Sequence, residues 1–257
     1  PPALSGVITD VVPDGEYKVT EPAEESFPAY LPSRLAGFYE RAGFVDTLCD
    51  KEGSVTVIGA VSPQGGDFSE PVTQNTQRFV RCFWALDRSL AYARHFPSIN
   101  WTTSYTEYYN DLLPWYRKNF GEDFPELRER IIALLNEESS LMEIVKLIGS
   151  DILPDDQKLV IETAKVIREG FLQQNAFHEH DTYMVPANQM AMLRVILHLY
   201  DGARTLVGSG IPLRLLSETG IFSVLERMKF GLGEGKKPEE FEKQVDDALD
   251  KVRRANA

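Results

Sequence analysis

The strongest constraint on the fold is a helical periodicity that runs from about residue 107 to the end of the chain. Apolar residues recur there every three to four positions, and Pro or Gly interrupts the pattern at intervals. No convincing strand remains in this half, so the sequence predicts a helical bundle over residues 107–257. The predicted helices are Glu107 to Phe120, Pro125 to Ile148, Pro154 to Ala176, Pro186 to Leu206 and Pro238 to Arg253.

The preceding region, residues 21–106, alternates between helix and strand patterns. Pro28 to Gly43 has helical spacing, and Ser54 to Ser62 is β-branched and almost uncharged, as in a central strand buried on both faces of a sheet. Thr73 to Arg94 then indicates a long helix and His95 to Trp101 a further strand. This order predicts part of a parallel α/β sheet.

Residues 1–20 alternate apolar and polar positions around the turn signal Pro13-Asp14-Gly15, which predicts a short amino-terminal β-hairpin. The predicted fold class is therefore α/β plus all-α: a hairpin, a partial parallel sheet over residues 21–106, and a carboxyl-terminal helical bundle.

Charge and composition exclude several classes of function. The net charge of -12 repels nucleic acid and anionic membranes, because neither gains counterion release from an acidic surface. Two separate cysteines, Cys49 and Cys82, form neither a disulfide framework nor a zinc ribbon. No apolar run approaches the roughly 18 residues of a spanning helix, and no leader opens the chain. We expect a cytoplasmic protein without direct membrane insertion.

The histidine-rich segment HEHD is a candidate metal site, because His178, His180 and Asp181 carry competent donor atoms. The segment follows a long predicted helix, and a solvated loop accounts for it without a metal. We therefore assign no metal ligand.

GLGEGKKP, from Gly231 to Pro238, superficially resembles a phosphate-binding loop. The pattern GxxxxGK[ST] needs Gly where Phe230 stands and a hydroxyl where Lys237 stands. The segment is instead interpreted as a flexible turn before the last helix.

The stretch from Ser54 to Tyr105 carries a family resemblance in its phrases GGDFSEPVTQNT and RHFPSINWTTSY. Both are similar to the A subunits of archaeal and vacuolar-type rotary ATPases, whose nucleotide domain is RecA-like. FPAYLPSRLAGFYERAG at residues 27–43 and FLQQNAFHEHDTY at residues 171–183 resemble the same family in the same order. The first twenty residues resemble part of that family's bulge domain.

The resemblance implies an adenine pocket with aromatic walls at Phe96 and Phe177, lined also by Gln174 and Ala176. Such rings gain about 1 to 3 kcal/mol for each base that they stack on. The alternative interpretation is that Phe96 and Phe177 are core residues.

Two further segments resemble subunit contacts of the family. The loop containing Asp67, Phe68 and Glu70 resembles the loop that faces the neighbouring non-catalytic B subunit. GSDILPDD resembles the acidic lever that pushes on the central rotor stalk, and a solvated acidic turn is the alternative for each side chain. Its candidate contact residues are Asp151, Asp155 and Asp156.

The implied parent is an A3B3 assembly with central and peripheral stalk subunits, which uses ATP or ADP with magnesium. It would couple ATP synthesis or hydrolysis to proton or sodium transport by rotation. The family's phosphate loop, catalytic glutamate and magnesium ligands are missing from this sequence, so no catalytic residue is assigned and no nucleotide is expected to bind tightly.

The missing region leaves other interpretations open. A non-catalytic module that only contacts partner subunits is the main alternative. A B subunit, or the β subunit of an F-type enzyme, is a third possibility, against which the phrases GGDFSEPV and FLQQNAF argue.

Overall fold

A computed structural model describes residues 10–11, 17–18, 22–24, 27–149 and 152–256 of the chain. Their contacts divide into two compact units, with the division between Phe83 and Trp84. The boundary expected near residue 106 from the sequence pattern stays a prediction.

The first unit begins with short antiparallel strand pairs. Strand β1 (Asp10–Val11) pairs with β2 (Tyr17–Lys18), so the predicted amino-terminal hairpin is present, although its turn lies outside the described residues. Strand β3 (Pro22–Glu24) pairs in the same way with β4 (Phe27–Pro28).

Helix α1 (Leu31–Tyr39) confirms the predicted helix at residues 28–43 and has Pro32 in its first turn. Strand β5 (Gly43–Asp46) then forms an antiparallel hairpin with β6 (Glu52–Val55).

The central strand predicted from Ser54 to Ser62 is not formed over most of that range. Only its first two residues are in strand, and Val55 and Ile58 are exposed. A strand becomes buried on both faces only between neighbouring strands and covering helices. In the described chain β6 has β5 as its partner, and their pairing is antiparallel rather than parallel.

The helix predicted from Thr73 to Arg94 is divided. Helix α2 (Pro71–Phe79) follows a 3-10 turn (Gln64–Gly66) and ends at Val80, whose backbone is extended. Valine, phenylalanine and tryptophan favour strands, and strand β7 (Cys82–Phe83) lies in this segment.

The second unit contains helix α3 (Arg88–Tyr92), which begins where the Asp87 carboxylate accepts a hydrogen bond of 2.7 Å from the N–H of Ser89. The strand predicted from His95 to Trp101 is absent, and an isolated bridge between Leu86 and Ile99 takes its place. Strand β8 (Tyr105–Thr106) follows.

The helical bundle predicted for the carboxyl-terminal half is confirmed. Its long helices match the predicted segments, and a π-helical turn (Ile167–Leu172) continues the third of them. They are α4 (Tyr109–Phe120), α5 (Phe124–Ile148), α6 (Asp155–Val166), α7 (Pro186–Gly208) and α11 (Pro238–Ala255).

Short helices complete the bundle and were not predicted. They are α8 (Leu213–Ser217), α9 (Ile221–Glu226) and α10 (Met228–Gly233). The last of these includes the first residues of GLGEGKKP, so only the end of that segment is the predicted turn.

The hydrophobic core lies among these helices. Its most completely buried side chains come from α6, α7, α9, α10 and α11, which places the middle of the bundle between them. They include Ala164, Val195, Ala203, Leu225, Met228 and Val245.

Candidate functional site

The residues expected to form the adenine pocket lie on two segments of the second unit, which hydrogen bonds join. The carbonyl oxygen of Phe96 accepts a bond of 2.6 Å from the N–H of Gln174. The side-chain amide of Gln173 donates to the carbonyl of Arg94 at 3.4 Å. The structure therefore brings the predicted residues Phe96 and Gln174 together through main-chain contacts.

His95 adds a third connection between the two segments. Its ring is buried, and Nε2 donates a bond of 3.0 Å to the carbonyl oxygen of Arg168 in the π-helical turn. The ring also lies 5.6 Å from the indole of Trp101. The residue before Phe96 is thus fixed, while the Phe96 side chain is 52% exposed.

Residues 173–181 carry the other residues predicted for the adenine pocket, Ala176 and Phe177. We call this segment the base loop, after the adenine base that the family resemblance implies. The Asn175 side chain accepts a bond of 3.0 Å from the N–H of Phe177, and the Thr182 hydroxyl donates to the carbonyls of Ala176 and His178. These local bonds compact the loop. The Phe177 ring is nevertheless 100% exposed.

Both rings are exposed, so neither Phe96 nor Phe177 belongs to the core of the described chain. Among the described residues, no aromatic ring lies against either of them. Two exposed rings on connected segments offer apolar faces to a flat ligand.

A buried ion pair connects the base loop to α10. Lys229 Nζ is 2.8 Å from Asp181 Oδ2, and the two side chains are only 7% and 4% exposed. Lys229 also donates to the carbonyl of Gln173 at 2.6 Å, and Asp181 accepts from the N–H of Asn175 at 2.7 Å. Each charge therefore has a second hydrogen bond, as burial of an ion pair requires.

A small cavity of about 170 Å³ opens beside this pair. Gln174, Asp181 and Lys229 provide its polar wall, and the remaining walls are mainly apolar. The other lining residues are Phe171, Leu172, Met184, Gln189 and Met192.

The HEHD segment is part of this scaffold. The His178 ring packs 4.6 Å from the ring of Phe230, and Asp181 is bound to Lys229. Within the described ranges, no three His, Cys, Asp or Glu side chains are grouped to hold a metal.

The predicted B-subunit contact residues lie in the first unit. Two hydrogen bonds from Ser69, at 2.6 Å from its hydroxyl and 2.8 Å from its N–H, lower the pKa of the exposed Asp67 carboxyl. Glu70 precedes α2 and accepts a bond of 2.8 Å from the Thr73 hydroxyl. The Phe68 ring packs edge to face with Phe83 at 5.6 Å. The loop is thus ordered by its own side chains.

The acidic segment that leads into α6 is only partly described, since Asp151 lies outside the described residues, while Asp155 and Asp156 are the first residues of the helix. Asp155 accepts a bond of 2.8 Å from the N–H of Leu213, whereas Asp156 is exposed. Both border an open groove of about 730 Å³ between α5, α6 and α7. Glu137, Tyr200 and Arg204 also line it, and burial raises the pKa of the Tyr200 hydroxyl.

Sequence reasoning missed Lys229 and His95 as site residues. The sequence contains a signal for Lys229, which stands within the apolar run MKFGLG. An apolar run indicates burial, and a buried lysine is rare unless it is paired, so an acidic partner could have been expected. His95 has none beyond its place next to Phe96.

No helix in the described part of the chain is long and apolar enough to cross a membrane.

Family models match two regions of the chain. Residues 17–106 match the nucleotide-binding domain of the ATP synthase alpha/beta family. Residues 113–214 match the C-terminal domain of V and A type ATP synthase.

Curated relatives match most of the chain at high identity. The V-type ATP synthase alpha chain of Halothermothrix orenii is 57% identical over 215 residues, which is 83% of this chain and 36% of that protein. The A subunit of the A-type ATP synthase of Natronomonas pharaonis is 53% identical over 207 residues, 80% of this chain and 35% of that protein. That of Methanopyrus kandleri is 50% identical over 235 residues, 90% and 40% respectively. The chain thus spans little more than a third of the length of these relatives.

A solved structure shares the fold. An ATP synthase subunit, NeqB, from Nanoarcheaum equitans superimposes with a TM-score of 0.57 at 19% identity, covering 70% of this chain and 42% of that chain.

Proposed function

Because this chain belongs to the A-subunit family of A-type and V-type ATP synthases and matches a carboxyl-terminal portion of that subunit, we propose that its second unit supplies the adenine-binding surface of the catalytic subunit. Within the complete protein, synthesis or hydrolysis of ATP would be coupled to proton or sodium transport by rotation. The observation that carries this proposal is the hydrogen bond that joins the Phe96 and Gln174 backbones beside two exposed phenylalanine rings.

The proposed contact to the base is stacking. Phe96 and Phe177 present exposed faces, and each stacked ring contributes about 1 to 3 kcal/mol in similar sites. Gln174 and Ala176 lie on the same loop and would border the base. Residues on rigid backbone keep such rings oriented, which lowers the entropy lost on binding.

The chemistry of the phosphates belongs elsewhere in the complete subunit. The sequence contains no GxxxxGK[ST] loop, and we assign no magnesium ligand to this chain. We therefore expect this chain alone to bind adenine nucleotides weakly and not to hydrolyse ATP.

The partners proposed for the complete subunit are the non-catalytic B subunit, the central rotor stalk and the peripheral stalk, in an A3B3 hexamer on the cytoplasmic side of the membrane. The loop with Asp67, Phe68 and Glu70 would contact the B subunit. Asp155 and Asp156, beside the open groove at one end of α6, would face the rotor.

A non-catalytic interaction module is the second candidate. The absence of a phosphate loop from the sequence favours it for the chain on its own. The two candidates differ in one respect, because only the first requires the chain to recognise an adenine base.

Ligand-observed NMR with adenosine tests the difference. We expect saturation transfer to the adenine protons, and titration should show that Phe177→Ala raises the dissociation constant about tenfold, since one lost stacking contact of about 1.4 kcal/mol is a factor of ten in that constant. Phe44→Ala is the matched control, because Phe44 is also an exposed phenylalanine but lies in the first unit. An adenosine affinity that Phe177→Ala leaves unchanged would favour the interaction module.

A further inference from the structure

Helix α10 forms a platform for the base loop. The Phe230 ring packs 4.6 Å from the ring of His178. A methyl group added at Gly233 would lie 2.3 Å from Cβ of His180, so the helix backbone approaches the loop directly. The loop therefore depends on α10 for support, although the two are far apart in the sequence.

Lys229 joins the two ends of the base loop. Its ammonium group donates to the carbonyl of Gln173 at 2.6 Å and to Asp181 Oδ2 at 2.8 Å. The intervening residues include Gln174, Ala176 and Phe177. One side chain thus closes the loop on which the proposed base contacts are carried, and closure restricts the conformations open to it.

Asp181 extends the same restraint into the loop. Its Oδ2 atom also accepts a bond of 2.7 Å from the N–H of Asn175, next to Gln174. Gln174 in turn donates its N–H to the carbonyl of Phe96 at 2.6 Å. A continuous set of hydrogen bonds therefore runs from Lys229 through the loop to the segment that carries Phe96.

The burial of Lys229 and Asp181 indicates that their ion pair fixes the conformation of the base loop more than it stabilises the fold. Both side chains are more than nine-tenths buried, and a buried ion pair is often no more stabilising than apolar residues of the same volume. An apolar pair would fill the space but would bind neither the Gln173 carbonyl nor the Asn175 N–H. The directional bonds are what the charged pair adds.

We propose that Lys229 is a positioning residue, which with Asp181 holds the base loop in the conformation that presents Phe177 and Gln174 to an adenine base. This inference rests on the proposed function. Neither side chain would touch the phosphates or the reacting atoms, and the role of the pair is to order the loop before the ligand arrives.

The test compares the complete 257-residue chain with the double variant Lys229→Met/Asp181→Leu, which replaces both charges with apolar side chains. We expect its thermal unfolding temperature to stay close to that of the unchanged chain. Adenosine affinity should fall about tenfold, and the Asn175 amide should lose its protection from hydrogen exchange. Asp181→Asn keeps an oxygen acceptor for Lys229 and Asn175 and should retain most of the affinity.

A double variant that folds normally and binds adenosine like the unchanged chain would overturn the inference. If the double variant does not fold, the single variant Lys229→Gln tests the inference. Retained hydrogen-exchange protection at Asn175 together with retained adenosine affinity would overturn the inference, and loss of both would support it. Tripolyphosphate, which has no base, should bind neither to the unchanged chain nor to any folded variant, because the sequence contains no phosphate-binding loop.

Failure of the proposed function gives a different result. In that case Phe177→Ala leaves adenosine binding unchanged, whereas the Lys229 variants still release the Asn175 amide. That outcome overturns the link to the base and leaves a restraint that orders the loop.

Discussion

The backbone N–H of Gln174 donates a hydrogen bond of 2.6 Å to the carbonyl oxygen of Phe96, and this bond joins the two segments on which the proposed adenine contacts lie. The bond uses main-chain atoms only, so the Phe96 ring remains free to meet a ligand. Hydrogen bonds hold the backbone here, while the Phe96 and Phe177 side chains are 52% and 100% exposed. A site of this kind is rigid in its main chain and open at its side chains.

Hydrogen exchange measures this bond directly. We expect the amides of Gln174 and Asn175 to exchange more slowly than that of Ala176, because their acceptors are the Phe96 carbonyl and the Asp181 carboxylate. Phe96→Ala is the matched control, since it removes the ring and leaves the carbonyl in place. Equal exchange at Gln174 and Ala176 would show that the two segments are not joined.

A pair of glycine substitutions tests the contact between α10 and the base loop. Gly233→Ala places a methyl group 2.3 Å from Cβ of His180, so we expect it to reduce the free energy of unfolding by about 1 to 3 kcal/mol. Gly208→Ala, in α7, meets no atom within 4 Å and should be neutral or stabilise by up to about 1 kcal/mol. Urea denaturation distinguishes them. Similar effects at both positions would contradict the close approach.

The bundle was predictable because its long helices contain several turns of apolar periodicity. Helices α5, α7 and α11 each begin with Pro in the first turn and repeat the pattern to their ends. The helices α8, α9 and α10 have only five or six residues each, too few to display a period. The platform under the base loop was therefore missed.

The sheet prediction differed for a non-local reason. The apolar, β-branched composition of Ser54 to Ser62 indicates burial, but the burial of a strand depends on neighbours that composition does not specify. Within the described residues, β6 pairs with β5, and Ile58 is 79% exposed. The candidate residues Phe96 and Phe177 came from family resemblance, whereas the Lys229–Asp181 pair depends on contacts between segments distant in the sequence.

Equal Leu→Ala changes at a buried and an exposed position test the core. Leu225 in α9 is completely buried, so Leu225→Ala should lower the free energy of unfolding by about 3 to 5 kcal/mol through lost burial and the remaining cavity. Leu147 in α5 is 85% exposed, and Leu147→Ala should change it by less than about 0.5 kcal/mol. Chemical denaturation measures both. A small loss at Leu225 would place it outside the cooperative core.

The ion pair between Asp123 and Arg194 predicts a pH dependence of stability. Arg194 Nε and Nη2 each donate a bond of 2.7 Å to the Asp123 carboxylate, joining the start of α5 to α7. These bonds lower the pKa of Asp123 from its ordinary value of 3.8, against the opposing effect of partial burial. Because solvent reaches both side chains, we expect the pair to contribute only about 1 kcal/mol.

The direction of the effect follows from the lowered pKa. A carboxylate with a lower pKa in the folded state stabilises that state above its unfolded pKa, and the contribution is lost as the pH falls through the folded pKa. Asp123→Asn should therefore be less stable than the unchanged chain at pH 7, with a difference that shrinks as the pH falls below 3.8. Urea denaturation at a series of pH values measures this difference. A difference that stays constant down to full protonation would mean that Asp123 acts as a neutral hydrogen-bond acceptor rather than as a charge.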